Sequence, residues 1–188
     1  MYNNIISKNK LYLGSILALT ALLVMLNFCK AIYQCSMVFV VTGLVMNMIA
    51  SKWNKQYALN GLFGATLLGL AISYQDSYYL NGTLISLLAL GSLVSVVISM
   101  LVSLNLFVSL KEKMSFTMAS FLSISVAAVI DGLAMSSFFV LKTNFALNKI
   151  ADMGIREISW KLLYVAAFSM LLSTIVRFVN NQKFQAIR

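Results

Sequence analysis

Two charged residues stand inside long apolar segments of this chain. Asp131 follows the apolar run Ala127–Ile130, and Lys161 lies at the start of a later apolar segment. A carboxylate at the centre of a bilayer costs about 2.5–3.5 kcal/mol on insertion scales, so Asp131 should face a bundle interior, a cavity or a cation. Two functions are open for this carboxylate: a ligand for a substrate or coupling ion, or a hydrogen-bonding group that joins two helices.

Lys161 is the natural partner of Asp131, because the end of the fifth apolar segment and the start of the sixth lie on the same side of the membrane, which places both residues in the same half of the bilayer. Its ammonium either reaches inward to the carboxylate or extends outward to water. Three uncharged polar residues in other apolar segments, Thr42, Asn47 and Asn105, are further candidates. An amide can donate and accept hydrogen bonds toward a polar ligand, although close packing between helices also explains such residues. These five residues make up the predicted substrate-binding site.

The elements that must position these residues follow from the composition. Of 188 residues, 61% are hydrophobic and 10% are charged, and the mean hydropathy is +0.89. A soluble domain would be about a quarter charged and about half apolar, so a soluble globular protein, a disordered chain and a disulfide scaffold are excluded. The 14 Lys and Arg against 5 Asp and Glu give a net charge of +9. In a membrane protein this excess indicates cytoplasmic loops and not nucleic-acid binding.

Six apolar segments are long enough to cross a bilayer, since a core of about 30 Å needs roughly 20 helical residues at 1.5 Å each. Unpaired backbone is too costly in lipid for any open structure. We therefore expect an all-α polytopic membrane protein, with one integral membrane domain that is a bundle of six transmembrane helices. The predicted spans cover about 11–29, 31–50, 57–74, 84–110, 114–141 and 158–179. The fourth apolar segment reaches back to Leu80, so either its helix is tilted or, as we prefer, 77–83 lies at the membrane surface.

Positive residues set the predicted orientation of the bundle. Most lysines and arginines fall on one side of the six spans, and the positive-inside rule places that side, with both termini, in the cytoplasm. Asp131 and Lys161 then belong to the outer half of the membrane. Between the fifth and sixth spans, Phe145–Glu157 is interpreted either as an amphipathic helix resting on lipid headgroups or as a lid over a substrate pocket.

Several kinds of chemistry are excluded by residues that the sequence lacks. A single intramembrane Asp cannot form an aspartic-protease dyad, and a chain without histidine cannot be a serine or zinc protease that depends on it. The sequence has no phosphate-cradling Gly-Lys-Ser/Thr loop for nucleotide hydrolysis. Cys29 and Cys35 match no metal motif, and they either form an exported disulfide or pack as small apolar residues. We predict no enzymatic activity, no cofactor and no metal.

The order of the spans and their polar residues resembles the queuosine precursor transporter family, also called the vitamin uptake transporter family. The shared motifs are polar or aromatic steps in the second, fifth and sixth spans and a basic stop after the fourth. They are Val41-Thr42-Gly43-Leu44 with Asn47, Ile130-Asp131-Gly132 with Ser137-Phe138-Phe139, Lys161-Leu162-Leu163, and Lys111-Glu112-Lys113. Acidic residues of the family are replaced here by Gly43, Asn47 and Asn105, so the chain resembles a diverged member.

The resemblance implies a transporter of the bacterial inner membrane that imports a small heteroaromatic molecule, either a 7-deazaguanine precursor of queuosine or a vitamin-like compound. In such a pocket Asp131 accepts hydrogen bonds from an aminopyrimidinone edge, and Lys161 balances Asp131 or holds a carbonyl. Thr42, Asn47 and Asn105 complete the hydrogen bonds. The expected partners are this substrate, the lipid bilayer, and another membrane subunit or a second copy of the chain, but not nucleic acid. The alternative is a structural or assembly subunit of a larger membrane complex, in which Asp131 and Lys161 form a packing pair.

Overall fold

The computed structural model describes the backbone of residues 2–29, 31–73, 78–80, 83–85 and 88–185, and the side chains of 12–72 and 88–178 apart from 27, 30 and 177. Six helices and one short hairpin make up most of these residues. The helices are α1 (Tyr2–Phe28), α2 (Ile32–Lys52), α3 (Lys55–Ser73), α4 (Leu88–Lys111), α5 (Phe116–Lys142) and α6 (Leu147–Gln185). The hairpin pairs β1 (Tyr78–Leu80) with β2 (Thr83–Ile85) in antiparallel register.

Within the described residues, four of the helices are long and apolar enough to cross a membrane. They are α2, α4, α5 and the part of α6 that runs from Leu147 to Val176. The first helix contains a shorter apolar segment, Tyr12–Leu26. The prediction of a helical protein with membrane-length apolar helices is therefore confirmed, and the six-span bundle remains a prediction.

The fourth apolar segment divides between the hairpin and a helix. Helix α4 begins at Leu88, and the strands β1 and β2 precede it. The 24 residues of α4 measure about 36 Å at 1.5 Å per residue. This length matches a bilayer core, which favours the alternative in which the first part of the segment lies outside the helix. Residues 77, 81 and 82 of that part are not among the described residues.

Side-chain hydrogen bonds define both ends of α5, the helix that carries Asp131. Ser115 precedes the helix with φ −61° and ψ 153°, and its hydroxyl accepts a hydrogen bond from the N–H of Met118 at 3.4 Å. This cap satisfies one of the N–H groups that the first turn leaves unpaired. At the other end, the Thr143 hydroxyl donates to the carbonyl of Phe139 at 2.7 Å. Asp131 therefore lies about four turns into a helix whose start is fixed.

The segment predicted to form a separate amphipathic helix or a lid before the sixth span is mostly part of one continuous helix. Helix α6 has 39 residues, and it begins at Leu147. Its first turns keep polar groups such as Asp152 and Arg156 exposed, while Ile150 and Gly154 are buried. The predicted amphipathic character of Phe145–Glu157 is thus present, but it belongs to the first turns of α6 and not to a separate helix.

The six helices pack as a closed ring with one helix drawn toward the middle. In the order α1, α3, α4, α5, α6 and α2, each helix packs against the next, and α2 returns to α1. Helix α2 also contacts α3, α4 and α5, so it packs against all five of the others. Its apolar residues supply much of the core, including Phe39, Met46 and Ile49. This arrangement surrounds α2 with the helices that carry charged and hydroxyl side chains.

Helices α5 and α6 approach each other closely at two glycines. A Cβ atom at Gly132 would collide with the side chain of Ile158, and one at Gly154 would collide with the hydroxyl of Ser136. Small residues allow helix backbones to pack at short distance, as is common inside membranes. The contact fixes the position of the two helices that carry the charged residues of the site.

Candidate functional site

A cavity of about 190 Å³ opens at the end of the bundle where α1 and α5 end and α2, α4 and α6 begin. Its wall is mostly apolar, with a few polar groups from α4, α5 and α6. The lining residues are Leu26, Cys29, Ala31, Ile32, Cys35, Phe39, Leu88, Ala89, Ser92, Val96, Asp131, Met135, Phe139, Met153, Glu157 and Lys161. Asp131 therefore borders open space inside the protein, and it is turned neither toward lipid nor into a solid interior.

Lys161 is the centre of a charged cluster in the cavity wall. Its ammonium forms ion pairs with Oδ2 of Asp131 and with Oε1 of Glu157. The residues of the first pair are deeply buried, with Lys161 1% exposed and Asp131 3% exposed. Of the two positions that the sequence left open for this lysine, the structure has the inward one.

The second oxygen of Asp131 is also bound. The hydroxyl of Ser95 on α4 donates to Oδ1 of Asp131 at 2.5 Å, and it lies 3.1 Å from the main-chain carbonyl oxygen of the same residue. On the other side of the cluster, the ring of Phe39 on α2 lies 4.6 Å from the Lys161 ammonium, a cation–π contact. Four helices thus hold the charged cluster in place.

The spacing of residues along α5 and α6 explains how these groups meet. Glu157 and Lys161 are four residues apart on α6, which places both side chains on one face of the helix. On α5, Asp131, Met135 and Phe139 recur at the same interval and line the cavity together. One face of each helix therefore forms the wall, with the ion pair at its inner end.

The charges in the wall do not balance. Among the described lining side chains, the carboxylates of Asp131 and Glu157 share the single ammonium of Lys161, which leaves one negative charge in excess. Electrostatic interactions are stronger in such partly buried surroundings than in water. The cavity is therefore suited to a group that donates hydrogen bonds. In the described part of the chain, no three His, Cys, Asp or Glu side chains lie close enough to hold a metal ion.

Thr42 and Asn47 on α2 are buried, but neither lines the cavity. The Thr42 hydroxyl donates to the carbonyl of Val38 in its own helix at 2.8 Å. The Asn47 amide donates to the hydroxyl of Ser123 on α5 at 3.2 Å, and its oxygen has no partner among the described residues. The structure therefore uses these two residues within and between helices, away from Asp131.

Asn105 is also separated from the charged cluster. It lies on an exposed face of α4, and its amide donates to the carbonyl of Leu101 at 2.9 Å. Ser95 lies ten residues earlier on the same helix, and it is Ser95 that reaches Asp131. Of the five predicted site residues, the structure brings together Asp131 and Lys161, and it does not bring Thr42, Asn47 or Asn105 to them.

Two residues of the cluster were missed by the sequence analysis, although each carries a signal. Glu157 precedes Lys161 by four residues, the spacing at which opposite charges meet on a helix. Because Glu157 was assigned to a segment separate from the sixth span, that relation was concealed. Ser95 belongs to a row of small residues at intervals of four, together with Ser99 and Ser103, and such rows are usually explained by helix packing.

The two cysteines lie where α1 passes into α2: Cys29 follows the last residue of α1, and Cys35 is in the first turn of α2. Both thiols are free. The Cys35 thiol donates to the main-chain carbonyl of Cys29 at 3.5 Å. Of the two alternatives predicted for them, the structure has unpaired, half-buried cysteines, and both line the cavity.

Comparison with known proteins adds no relative. Searches of protein-family models, of curated proteins and of solved structures each found no match to this chain.

Proposed function

We propose that the protein is a transporter of the bacterial inner membrane that imports a small heteroaromatic molecule, either a 7-deazaguanine precursor of queuosine or a vitamin-like compound. The observation that carries the proposal is the position of Asp131, which is buried, ion-paired and at the wall of an internal cavity. Ionisable residues within membrane helices usually mark substrate or ion pathways. The sequence resemblance to queuosine precursor transporters supplies the substrate class.

In this proposal all six helices cross the membrane and both termini are cytoplasmic. The closed ring supports it, because α1 and α3 occupy places between helices that are themselves long and apolar enough to span. Lys52, Lys55, Lys111 and Lys113 lie at the end of the bundle opposite to the cavity. By the positive-inside rule that end is cytoplasmic, so the cavity opens toward the outside, where an importer receives its substrate.

The cavity has the chemical character that a flat ring with polar edges requires. Phe39, Phe139 and Met135 provide apolar and aromatic walls, and the carboxylates of Asp131 and Glu157 accept hydrogen bonds from ring N–H or amino groups. Its volume of about 190 Å³ lies below the range of roughly 300–1,000 Å³ that is typical of ligand pockets. The proposed substrate is therefore a single small ring system and not a large cofactor.

The alternative of a structural or assembly subunit predicts a different distribution of small residues. Such a subunit should carry its rows of serine on the outside, where a partner would cover them. Ser95, Ser99 and Ser103 are instead buried within the bundle, and open space lies beside Asp131. These two features favour the transporter.

The test is uptake of a labelled 7-deazaguanine by cells that cannot synthesise queuosine, with and without the protein. We expect uptake by the wild type and a loss of about tenfold or more with Asp131→Asn, because a charge-assisted hydrogen bond contributes about 1.5–3 kcal/mol. The matched control is Asp152→Asn, which removes an exposed carboxylate from the outer end of α6. Unchanged uptake by a folded Asp131→Asn variant would reject the role of Asp131, and no uptake by the folded wild type would reject the substrate class.

A further inference from the structure

The excess negative charge of the cavity wall bears on the kind of substrate that the site accepts. Lys161 is already bound to both carboxylates, and the hydroxyl of Ser95 carries no charge. Uncompensated charge in partly buried surroundings is unfavourable unless a counter-charge or additional hydrogen bonds satisfy it. Among the described side chains of the wall, no second positive charge balances this excess, so a positive charge brought by the cavity contents would balance it.

Glu157 is the carboxylate best placed to meet that charge. Its side chain is 21% exposed, whereas the side chains of Lys161 and Asp131 are 2% and 4% exposed. It lies nearer the start of α6, at the outer end of the cluster, so a ligand entering the cavity meets Glu157 before Asp131. Asp131 has both oxygens bound, one by Lys161 and one by Ser95, and has less capacity left for a ligand.

We infer that the cavity selects a small flat ligand carrying one protonated amine or amidinium group, with Glu157 accepting from that group. The inference rests on the proposed function, and it narrows the substrate class within it. An amine or amidinium donates two or three hydrogen bonds and cancels the excess charge. A carboxylate or phosphate ligand would add a second uncompensated negative charge and is excluded from the site.

The test compares three probes of similar size and shape that differ in charge: benzamidine as the cation, benzamide as the neutral compound and benzoate as the anion. Binding to the full chain is measured by calorimetry in nanodiscs of zwitterionic phosphatidylcholine, so that the lipid does not attract the cation. We expect benzamidine to bind more tightly than benzamide by about tenfold or more, the effect of one charge-assisted hydrogen bond, and benzoate to bind most weakly. Equal affinity for benzamidine and benzamide would overturn the inference, because the site would then not distinguish a positive charge from a neutral group. Tighter binding of benzoate, or binding of none of the three, would overturn it as well.

Variants of Glu157 test whether this residue causes the preference for the cationic probe. Glu157→Gln should remove most of the preference for benzamidine over benzamide, and Glu157→Asp should keep part of it. Asp152→Asn, which removes a carboxylate from the exposed face of the same helix, should leave the preference unchanged. An unchanged preference in folded Glu157→Gln would overturn the role of Glu157. The comparison of the three probes on the wild-type protein does not depend on whether any variant folds.

The charge inference and the proposed function fail in different ways. Selective binding of the cation without uptake of any labelled substrate would reject transport and keep the inference. Uptake of a substrate together with a preference for the neutral probe would keep transport and reject the inference.

Discussion

At the scale of single residues, Lys161 is buried away from water, and its ammonium contacts two carboxylates and an aromatic ring. A long lysine side chain near the end of a membrane helix ordinarily extends toward the interface. Here Asp131, Glu157 and Phe39 all lie within reach of the ammonium, and the side chain is buried among them. Removing one partner of such a buried pair leaves the other uncompensated, so the cost of substitution exceeds the net contribution of the pair.

We expect Lys161→Met to destabilise the protein by about 3–5 kcal/mol, because two carboxylates would then share one partly buried site without a counter-charge. The measurement is the thermal unfolding midpoint in detergent micelles. Lys113→Met serves as the control, since Lys113 is an exposed residue in the turn between α4 and α5. Equal midpoints for the two variants would show that the ion pairs do not contribute to stability.

A double variant separates loss of the pair from loss of packing. Lys161→Met combined with Asp131→Asn removes the lysine together with its most deeply buried partner charge. We expect the double variant to lose less stability than the sum of the two single variants, because residues in direct contact are not additive. If the fall in midpoint of the double variant equals the sum of the falls in the two single variants, the two side chains do not interact in solution.

The sequence alone could identify Asp131 and Lys161, because a charge inside an apolar segment is rare and costly. It does not identify Ser95 and Glu157, the other two side chains that bind this pair. Ser95 is one of several serines spaced by four, and sequence periodicity does not tell which turn of α4 reaches Asp131. Asn105 and Thr42 bear groups that suit a polar ligand, yet their hydrogen bonds close within their own helices, a contact that composition does not reveal.

At the scale of helices, the contact between α5 and α6 depends on residues without bulk. Gly132 lies beside Asp131, and its missing side chain makes room for Ile158, three residues before Lys161. Adding atoms at a well-packed contact forces side chains or backbone to shift. The position of the lysine relative to the aspartate therefore depends on this glycine.

We expect Gly132→Ala to destabilise the protein by about 1–3 kcal/mol, the range for overpacking, despite the better helix propensity of alanine. The matched control is Gly64→Ala on α3, because a Cβ atom at Gly64 would meet no atom within 4 Å. This control should be neutral or slightly stabilising. Thermal unfolding of the two variants side by side is the measurement, and a more stable Gly132→Ala would contradict the close packing described here.

The ends of the helices are harder to predict from the sequence than their apolar middle parts. Hydropathy indicates which residues suit the membrane interior, and it does not indicate where a helix begins or ends. The sixth span was therefore predicted to start near residue 158, although α6 begins at Leu147. The three additional turns are amphipathic, with Asp152 and Arg156 paired at 3.0 Å on the exposed face. A cap is easier to predict. Ser115, a preferred residue at the start of a helix, stands at the beginning of α5.

At the scale of the whole molecule, the cavity lies at one end of the ring and most of the lysines that end helices lie at the other. The ring order itself could not be derived from the sequence, because nothing in the hydropathy of a helix tells which neighbours it contacts. The central position of α2 is a property of the tertiary structure. The predicted orientation does follow from the sequence, and the location of the cavity makes it testable with the two native cysteines.

In intact cells we expect a cationic, membrane-impermeant methanethiosulfonate to label Cys29 or Cys35, because both line a cavity that opens to the outside in the proposed orientation. The extent of labelling is read by mass spectrometry of the purified protein. A variant with both cysteines replaced by serine should not react. When Lys113→Cys is introduced into that variant, its thiol should react only after the membrane is permeabilised, and the reverse pattern would invert the orientation.

The continuity of α6 connects the cavity mechanically to the far end of the same helix. The same uninterrupted rod holds Lys161 at the cavity and ends at Gln185, roughly 36 Å further along at 1.5 Å per residue. A swing of about 5° around the lysine displaces the far tip by about 3 Å over that length. In the proposed orientation, a ligand that displaces Lys161 or Glu157 would move the opposite end of α6 directly, because one continuous helix joins the two places.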